Sequence, residues 1–358
     1  MMGSVRVAYT LEQLWHRVPG GTGVAALRTA EAMDRVAGIE LIGVAGRHRR
    51  PPEFDWTPPI PFVQLPIASP WLYETWLYAG WPSPESVTGA VDVVHATTLI
   101  PCPTELPLVV TVHDLAFMHR PEQFTRHGVR VFKRSLELIT RHADLVLCCS
   151  QATMDDCVVS GIDAARLRHV PLGVDVERAP LAEVARVRAL YRLPERYLLF
   201  VGTIEPRKNL RGLARAVALL DDPIPLVVAG ADGWGDAGAD LIGDVTFLGF
   251  VPNEDLRGLY AGAHVFCYPS ELEGYGLPVL EAMAQGAPVV TSMDTATEEA
   301  AGGAAVLVDA SDVGDIARGI TEAIARRIEL DALGRQRAAN ATWMRTAELT
   351  AAAYRELA

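Results

Sequence analysis

Apolar and polar positions follow the same rhythm in two successive blocks of the chain. Short runs rich in Val, Ile and Leu alternate with stretches whose apolar residues recur at helical spacing, the pattern of βαβ units around a parallel sheet. In the first block this predicts strands near Arg6–Thr10, Leu41–Ala45, Val91–His95, Leu108–His113 and Leu145–Cys149, with helices near Gly23–Val36 and Val129–His142. The second block predicts strands near Tyr197–Gly202, Pro225–Ala229, Val245–Phe247, Val265–Tyr268 and Pro288–Ser292. Its helices fall near Leu210–Leu220, Asn253–Ala261, Pro278–Gln285 and Val313–Arg327. Between the blocks, Val174–Pro194 is charged and rich in Ala and Arg without sheet character, which marks a hinge. The tail from Ala338 to Ala358 reads as one or two helices. One stretch breaks the rhythm: Trp71–Trp81 carries several aromatics over about three helical turns. Core packing suits it, and so does a sugar platform, a lipid headgroup zone or a partner surface, because Trp and Tyr join an apolar body to a polar tip.

The length of 358 residues agrees with two domains at about 150 residues each. The expected fold class is α/β, two Rossmann-like domains with parallel sheets facing each other across a cleft. The expected boundaries are 1–174, a hinge at 175–194, 195–337, and C-terminal helices at 338–358. A net charge of −12 gives no overall basic surface, so nucleic acid is not an expected partner. The five cysteines form no CxxC pair and read as reduced core thiols. The N-terminal MMGSVRVAYT lacks the apolar stretch of a signal peptide, and no window of about 18 apolar residues follows. A cytoplasmic protein is expected, either free or peripheral to the inner face of the membrane.

Candidate chemistry gathers at the ends of predicted strands. The segment from Pro269 to Pro288 follows an apolar strand, and Pro278 suits the first turn of a helix, so Gly274, Tyr275, Gly276 and Leu277 form a loop at a helix N-terminus. Free N–H groups and the positive end of the helix dipole suit phosphate, and the glycines allow close approach. Glu273 and Glu281 bracket this anion site. Carboxylates there serve best as acceptors from sugar or ribose hydroxyls. Arg207 and Lys208 leave the carboxyl end of the strand ending at Gly202, where open α/β sheets bind ligands and where paired cations balance a diphosphate. An Arg-Lys pair in a turn is also commonly just solvated. Gly21 to Ala26 satisfies GxGxxA, a dinucleotide fingerprint, but about ten residues separate it from Thr10, whereas the fingerprint begins directly after its strand. His113 and Asp114 sit at a strand end, as does His95, and each His suits either proton chemistry or a structural role.

Together these segments resemble glycosyltransferase family 4, the group 1 retaining enzymes of the GT-B fold, most of all its mannosyltransferases. EGYGLPVLEAMAQGAPVV, with seven residues between Glu273 and Glu281, matches that family's paired-glutamate motif. GTIEPRKNL, the Pro171–Asp175 approach to the hinge, the Gly-Gly loop and HDLAF occur in the expected order. The resemblance implies that Arg207 and Lys208 hold the donor diphosphate and that the amides of Gly274 to Leu277 contact phosphate and sugar. By the same resemblance Glu273 binds donor sugar hydroxyls and Glu281 the ribose. Gly21, Gly202 and Val251 join the donor site, His113 lies near the anomeric centre, and the final helix returns to the first domain.

The implied activity is transfer of a hexose, best assigned as mannose from GDP-mannose, to a hydroxyl of a glycan, glycolipid or small-molecule acceptor. Anomeric configuration is retained by same-face attack, with no cofactor besides the donor as co-substrate and no metal. The chain departs from the family at Glu298–Ala304 and Ala310, which bears on base and sugar preference. A nucleotide-sugar epimerase, a phosphorylase, a non-catalytic nucleotide-sugar-binding protein and a dehydrogenase built on the Gly21 loop are the alternatives.

Overall fold

The structure is a computed structural model that describes residues 4–16, 20–52, 56–57, 60–69, 71–231 and 244–358. Contacts divide the chain into two units, Met1–Gly173 with Trp343–Ala358, and Val174–Thr342.

In the first unit, strands β1 (Val5–Thr10), β2 (Ile39–Ala45), β3 (Phe62–Gln64), β4 (Val93–Ala96), β5 (Leu108–Val112), β6 (Leu145–Cys148) and β7 (Leu167–His169) form one sheet. Its order is β3-β2-β1-β4-β5-β6-β7, every neighbouring pair parallel. In the second unit, β8 (Leu198–Val201), β9 (Leu226–Ala229), β10 (Val245–Gly249), β11 (Val265–Tyr268), β12 (Val289–Ser292) and β13 (Val306–Val308) are ordered β10-β9-β8-β11-β12-β13, again all parallel. Both units are therefore Rossmann-like. Each sheet reverses its strand order at one place, between β1 and β4 and between β8 and β11. Open α/β sheets bind ligands at such reversals.

The expected strands are all present to within about two residues, a normal boundary error. Central strands such as Leu198–Val201 and Val265–Tyr268 are buried along their whole length, which is why they read as unbroken apolar runs. The unpredicted strands β3, β7 and β13 have three residues each and lie at sheet edges, too short for any periodicity to register. Helices Gln151–Val159, Ala296–Ala301 and Arg327–Asn340 also went unread.

The 175–194 stretch is not featureless. It holds the helix Leu181–Leu190, which packs on the helix Asn253–Gly262 inside the second unit. Arg186 and Tyr191 both bond the buried Asp255 there. The last helix, Trp343–Leu357, belongs to the first unit and packs against Gly20–Met33. Its Tyr354 is fully buried against His95. The five cysteines are buried and none forms a disulfide.

Candidate functional site

The loops that follow β8 and β11 are joined at the sheet reversal of the second unit. After β8 the chain turns through Pro206–Lys208, and Asn209, in the left-handed region at φ 54°, ends that turn and caps the helix Leu210–Val217. After β11, the Glu271 N–H donates to the Arg207 carbonyl at 2.8 Å. The two loops are thus held in register without any side-chain charge.

Within them Arg207, Lys208 and Glu273 meet. Glu273 Oε1 lies 3.1 Å from Lys208 Nζ and 3.0 Å from Arg207 Nη1, and accepts from the hydroxyls of Tyr268 and Ser270 at 2.9 Å each. Lys208 also donates to the Tyr268 hydroxyl, with Nζ 5.0 Å from that ring's centroid. Arg207 Nε donates to Glu205 at 2.8 Å and Nη1 to the Leu272 carbonyl at 2.9 Å. The cations are therefore fixed by carboxylates rather than solvated. Two positive and two negative side chains balance, which makes the cluster tolerable in a largely buried place. Burial pushes the Glu273 carboxyl up, but Lys208, Arg207 and the two hydroxyls outweigh it and hold it down at about 2.

Valences remain open. Every side-chain contact of Glu273 among the described residues runs to Oε1, so Oε2 is left as an acceptor. Lys208 has three N–H groups and uses two, on Tyr268 and Glu273. Gly202, at φ 150°, leaves room for this side chain, since a Cβ there would stand 3.2 Å from Lys208 Nζ.

Gly274 to Leu277 leads into the helix Leu277–Gln285, with Pro278 in its first turn and Gly276 as its N-cap at φ 107°. A Cβ on Gly276 would lie 3.0 Å from Thr297 Cγ2, so the turn needs glycine for both conformation and space. Glu281, one turn into this helix, accepts from the Tyr260 hydroxyl at 2.8 Å. Burial and the nearby Asp175 raise its carboxyl, against the Tyr260 hydrogen bond that lowers it. Val251 follows the edge strand β10, two strands away from β8, and its side chain is buried. Sequence reasoning missed Tyr268, Ser270, Glu205 and Tyr260. The signal for the first two was their position, five and three residues before Glu273 at the end of a strand.

The other candidates lie in the first unit. His113 follows β5, half-buried, and its Nε2–H donates to the Thr97 carbonyl at 3.2 Å. Burial lowers its pKa, so the ring is neutral and Nδ1 keeps its lone pair. Thr97 is held in turn by Gln13 Nε2 at 2.7 Å and by Thr10. His95 is sealed in the core between Tyr354 and Thr111, at 2.6 and 2.7 Å, and burial together with His113 pushes its pKa down to about 3. That is a structural histidine. Gly21 is the second residue of the helix Gly20–Met33, and the turn Glu12–Trp15 stands between it and β1. This insertion breaks the strand-turn-helix geometry of a dinucleotide fingerprint. Pro19, at the start of that glycine loop, lies outside the described residues. Among the described residues, no group of three or more His, Cys, Asp or Glu side chains is placed to hold a metal ion.

Known proteins match both units. The family model for glycosyltransferase family 4 matches residues 19–178, and that for glycosyl transferases group 1 matches residues 185–340. The O-antigen chain mannosyltransferase B of Escherichia coli is 36% identical over 235 residues, 60% of this chain and 61% of that protein. The D-inositol 3-phosphate glycosyltransferase of Mycolicibacterium smegmatis is 30% identical over 269 residues, 70% of this chain and 62% of that one. The matched stretch thus spans about three fifths of each relative's own length. Among solved structures, Anabaena HepE in complex with UDP and glucose superposes with a TM-score of 0.74 at 19% identity, covering 99% of this chain and 100% of that one. With one glycosyltransferase model on each Rossmann-like unit and this architecture beneath them, the chain belongs to the GT-B glycosyltransferases.

Proposed function

We propose that the protein transfers a hexose, mannose from GDP-mannose, to a hydroxyl of a glycan, glycolipid or small-molecule acceptor, retaining the anomeric configuration and requiring no divalent cation. The observation that carries this reading is the buried Lys208–Glu273 pair, with one N–H and one carboxylate oxygen still open beside a helix N-terminus. A nucleotide sugar offers the matching groups: phosphate oxygens for Lys208, Arg207 and the Gly274–Leu277 amides, and sugar hydroxyls for Glu273 Oε2. Glu281, which already accepts from the Tyr260 hydroxyl, suits the ribose as an acceptor for its hydroxyls. Mannose is favoured by the names of relatives such as the Escherichia coli mannosyltransferase.

In the proposed reaction the bond from the anomeric carbon to the phosphate oxygen breaks and the acceptor oxygen bonds to the same face. The acceptor proton passes to the leaving phosphate. Arg207 and Lys208 stabilise the charge that develops on that phosphate, a role otherwise open to a metal. Neutral His113, accepting at Nδ1, lies in the first unit as a sugar-hydroxyl partner. The place of action is the cytoplasm or the inner membrane face.

The experiment incubates the protein with a panel of nucleotide sugars in EDTA, with and without candidate mannosyl acceptors, and follows product and anomeric configuration by NMR. Turnover of GDP-mannose to an α-linked product is expected, and Lys208→Ala should lose about 2 to 4 kcal/mol of transition-state stabilisation. Acceptor-independent isomerisation of the donor sugar would make the protein an epimerase instead. Abolition of turnover by EDTA would refute metal independence.

A further inference from the structure

The loop that follows β2, residues 46–50, stands at the carboxyl edge of the first sheet and carries Arg47, Arg49 and Arg50, all exposed. Among the described residues no hydrogen bond or ion pair reaches these three guanidinium groups. Arg186, Arg207, Arg318 and Arg326, by contrast, each stand on a carboxylate, on a chain whose net charge is −12.

Exposed arginines are ordinarily just solvated, and what sets these apart is the scaffold beneath them. Glu12, 2% exposed, accepts from the Gly46 N–H at 2.7 Å and lies 3.1 Å from His48 Nε2. The Arg47 N–H donates to the Ile67 carbonyl at 2.8 Å, and Trp15 Nε1 donates to the Arg50 carbonyl at 2.9 Å. Trp15 also stacks on the His48 ring, with centroids 4.5 Å apart. A Cβ on Gly46 would stand 3.1 Å from the Ile67 carbonyl oxygen, so the backbone is closely packed here. Alongside, His16 Nε2 and the Tyr73 hydroxyl are 3.2 Å apart. Tyr73 belongs to the inward side of the aromatic stretch: Leu72, Trp76 and Leu77 beside it are buried, while Trp71, Tyr78 and Trp81 are exposed. Three like charges on four successive residues repel one another, and a fixed backbone keeps them together. Only an anion turns that arrangement into a gain. Three guanidinium groups exceed what one carboxylate needs and suit the higher charge and the several acceptor oxygens of phosphate.

His113 lies on the same edge of the same unit. In the order β2-β1-β4-β5, three strand steps separate it from the arginine loop, roughly 14 Å. We propose that Arg47, Arg49 and Arg50 form a phosphate subsite for the acceptor, which is an extended glycan whose phosphate sits several strand spacings from the hydroxyl that reacts. That acceptor role rests on the transfer reaction proposed above, whereas phosphate binding is measured without donor.

The full chain is titrated calorimetrically with mannotriose 1-phosphate and with neutral mannotriose, no donor present. The phosphorylated trisaccharide should bind at least about tenfold more tightly, and the difference should shrink in high salt. Arg49→Gln/Arg50→Gln should remove the difference, and Arg49→Lys/Arg50→Lys should restore part of it. The same charge removal on the helix Arg126–His142, Arg130→Gln/Lys133→Gln, should leave it intact. All these side chains are exposed, so the melting midpoints should be unchanged. The rise in midpoint given by GDP should be the same in Arg49→Gln/Arg50→Gln as in the wild type, since the proposed donor site lies in the second unit. Equal affinity for the two sugars, no binding of the phosphorylated one, a preference that survives Arg49→Gln/Arg50→Gln, or one lost equally in Arg130→Gln/Lys133→Gln would each overturn the subsite. Transfer to both sugars with equal KM would overturn it too, while leaving the transfer reaction standing. A preference that depends on Arg49 and Arg50, in a protein that transfers no sugar, would keep the phosphate site and strike the transfer reaction.

Discussion

Glu273 and Glu281 stand eight positions apart in one motif, yet their surroundings drive the two carboxyls in opposite directions. Glu273 is surrounded by two cations and two hydroxyl donors and is held at about 2, below its ordinary 4.5. A carboxyl depressed on folding stabilises the folded state above its unfolded value, and that stability is lost as pH falls from about 4.5 toward 2. The side chain is only 10% exposed, and the shift corresponds to about 3 kcal/mol. Glu281 is raised, so its ionised form opposes folding near neutral pH and the opposition disappears on acidification. Glu273→Gln should therefore lower the thermal midpoint near neutral pH, and the loss should shrink in acid. Glu281→Gln should leave the midpoint unchanged or raise it, and should weaken donor binding rather than turnover at saturating donor. Paired melts across pH check both, and a lower midpoint for Glu281→Gln than for Glu273→Gln would contradict the assigned environments. None of this asymmetry was legible in the sequence, where both residues were simply carboxylates bracketing an anion site. The discriminating partners, Tyr268 and Ser270 for one and Tyr260 for the other, come from strand ends and a helix whose packing only the fold specifies.

Among elements, the turn into Leu277–Gln285 carries the largest demand on local geometry. Gly276 needs φ near 107°, and the space where its Cβ would go is taken by Thr297. Gly276→Ala should cost about 1 to 3 kcal/mol of stability through backbone strain. It should weaken nucleotide affinity as well, because the first-turn amides are displaced. Calorimetric titration with nucleoside diphosphates beside a thermal melt separates the two, and unchanged affinity would remove those amides from the donor site. This element was the most readable of all, since a strand, a two-glycine loop, an N-terminal proline and a terminal glycine follow one another in sequence. What escaped was small or ambiguous: three-residue edge strands, and the helix Leu181–Leu190, whose mixed composition hides its packing face. The aromatic stretch was ambiguous for a different reason, because its two faces have different fates and the spacing of aromatics alone does not say which ring points inward.

For the whole molecule, two Rossmann-like units reproduce the expected parallel-sheet architecture, with strand-order reversals between β1 and β4 and between β8 and β11. No helix among the described residues is long and apolar enough to cross a membrane. The architecture was legible because buried parallel strands write themselves as apolar runs, and the meeting of Arg207, Lys208 and Glu273 because all three follow strand ends. The charge balance of the site was not. Arg207 and Lys208 read as two unpaired cations awaiting a diphosphate, whereas Glu205 and Glu273 already neutralise them. In the proposed function a nucleotide is therefore held without a large excess of positive charge, through the remaining valences of Lys208 and Glu273. The most direct measurement is a thermal-shift comparison of the wild-type protein and Lys208→Ala against GDP, UDP, dTDP, ADP and NADH, all in EDTA. A nucleoside diphosphate that raises the wild-type midpoint, with the rise largely lost in Lys208→Ala, is the result this account predicts. Stabilisation by NADH alone, or an equal rise in both proteins, would contradict it.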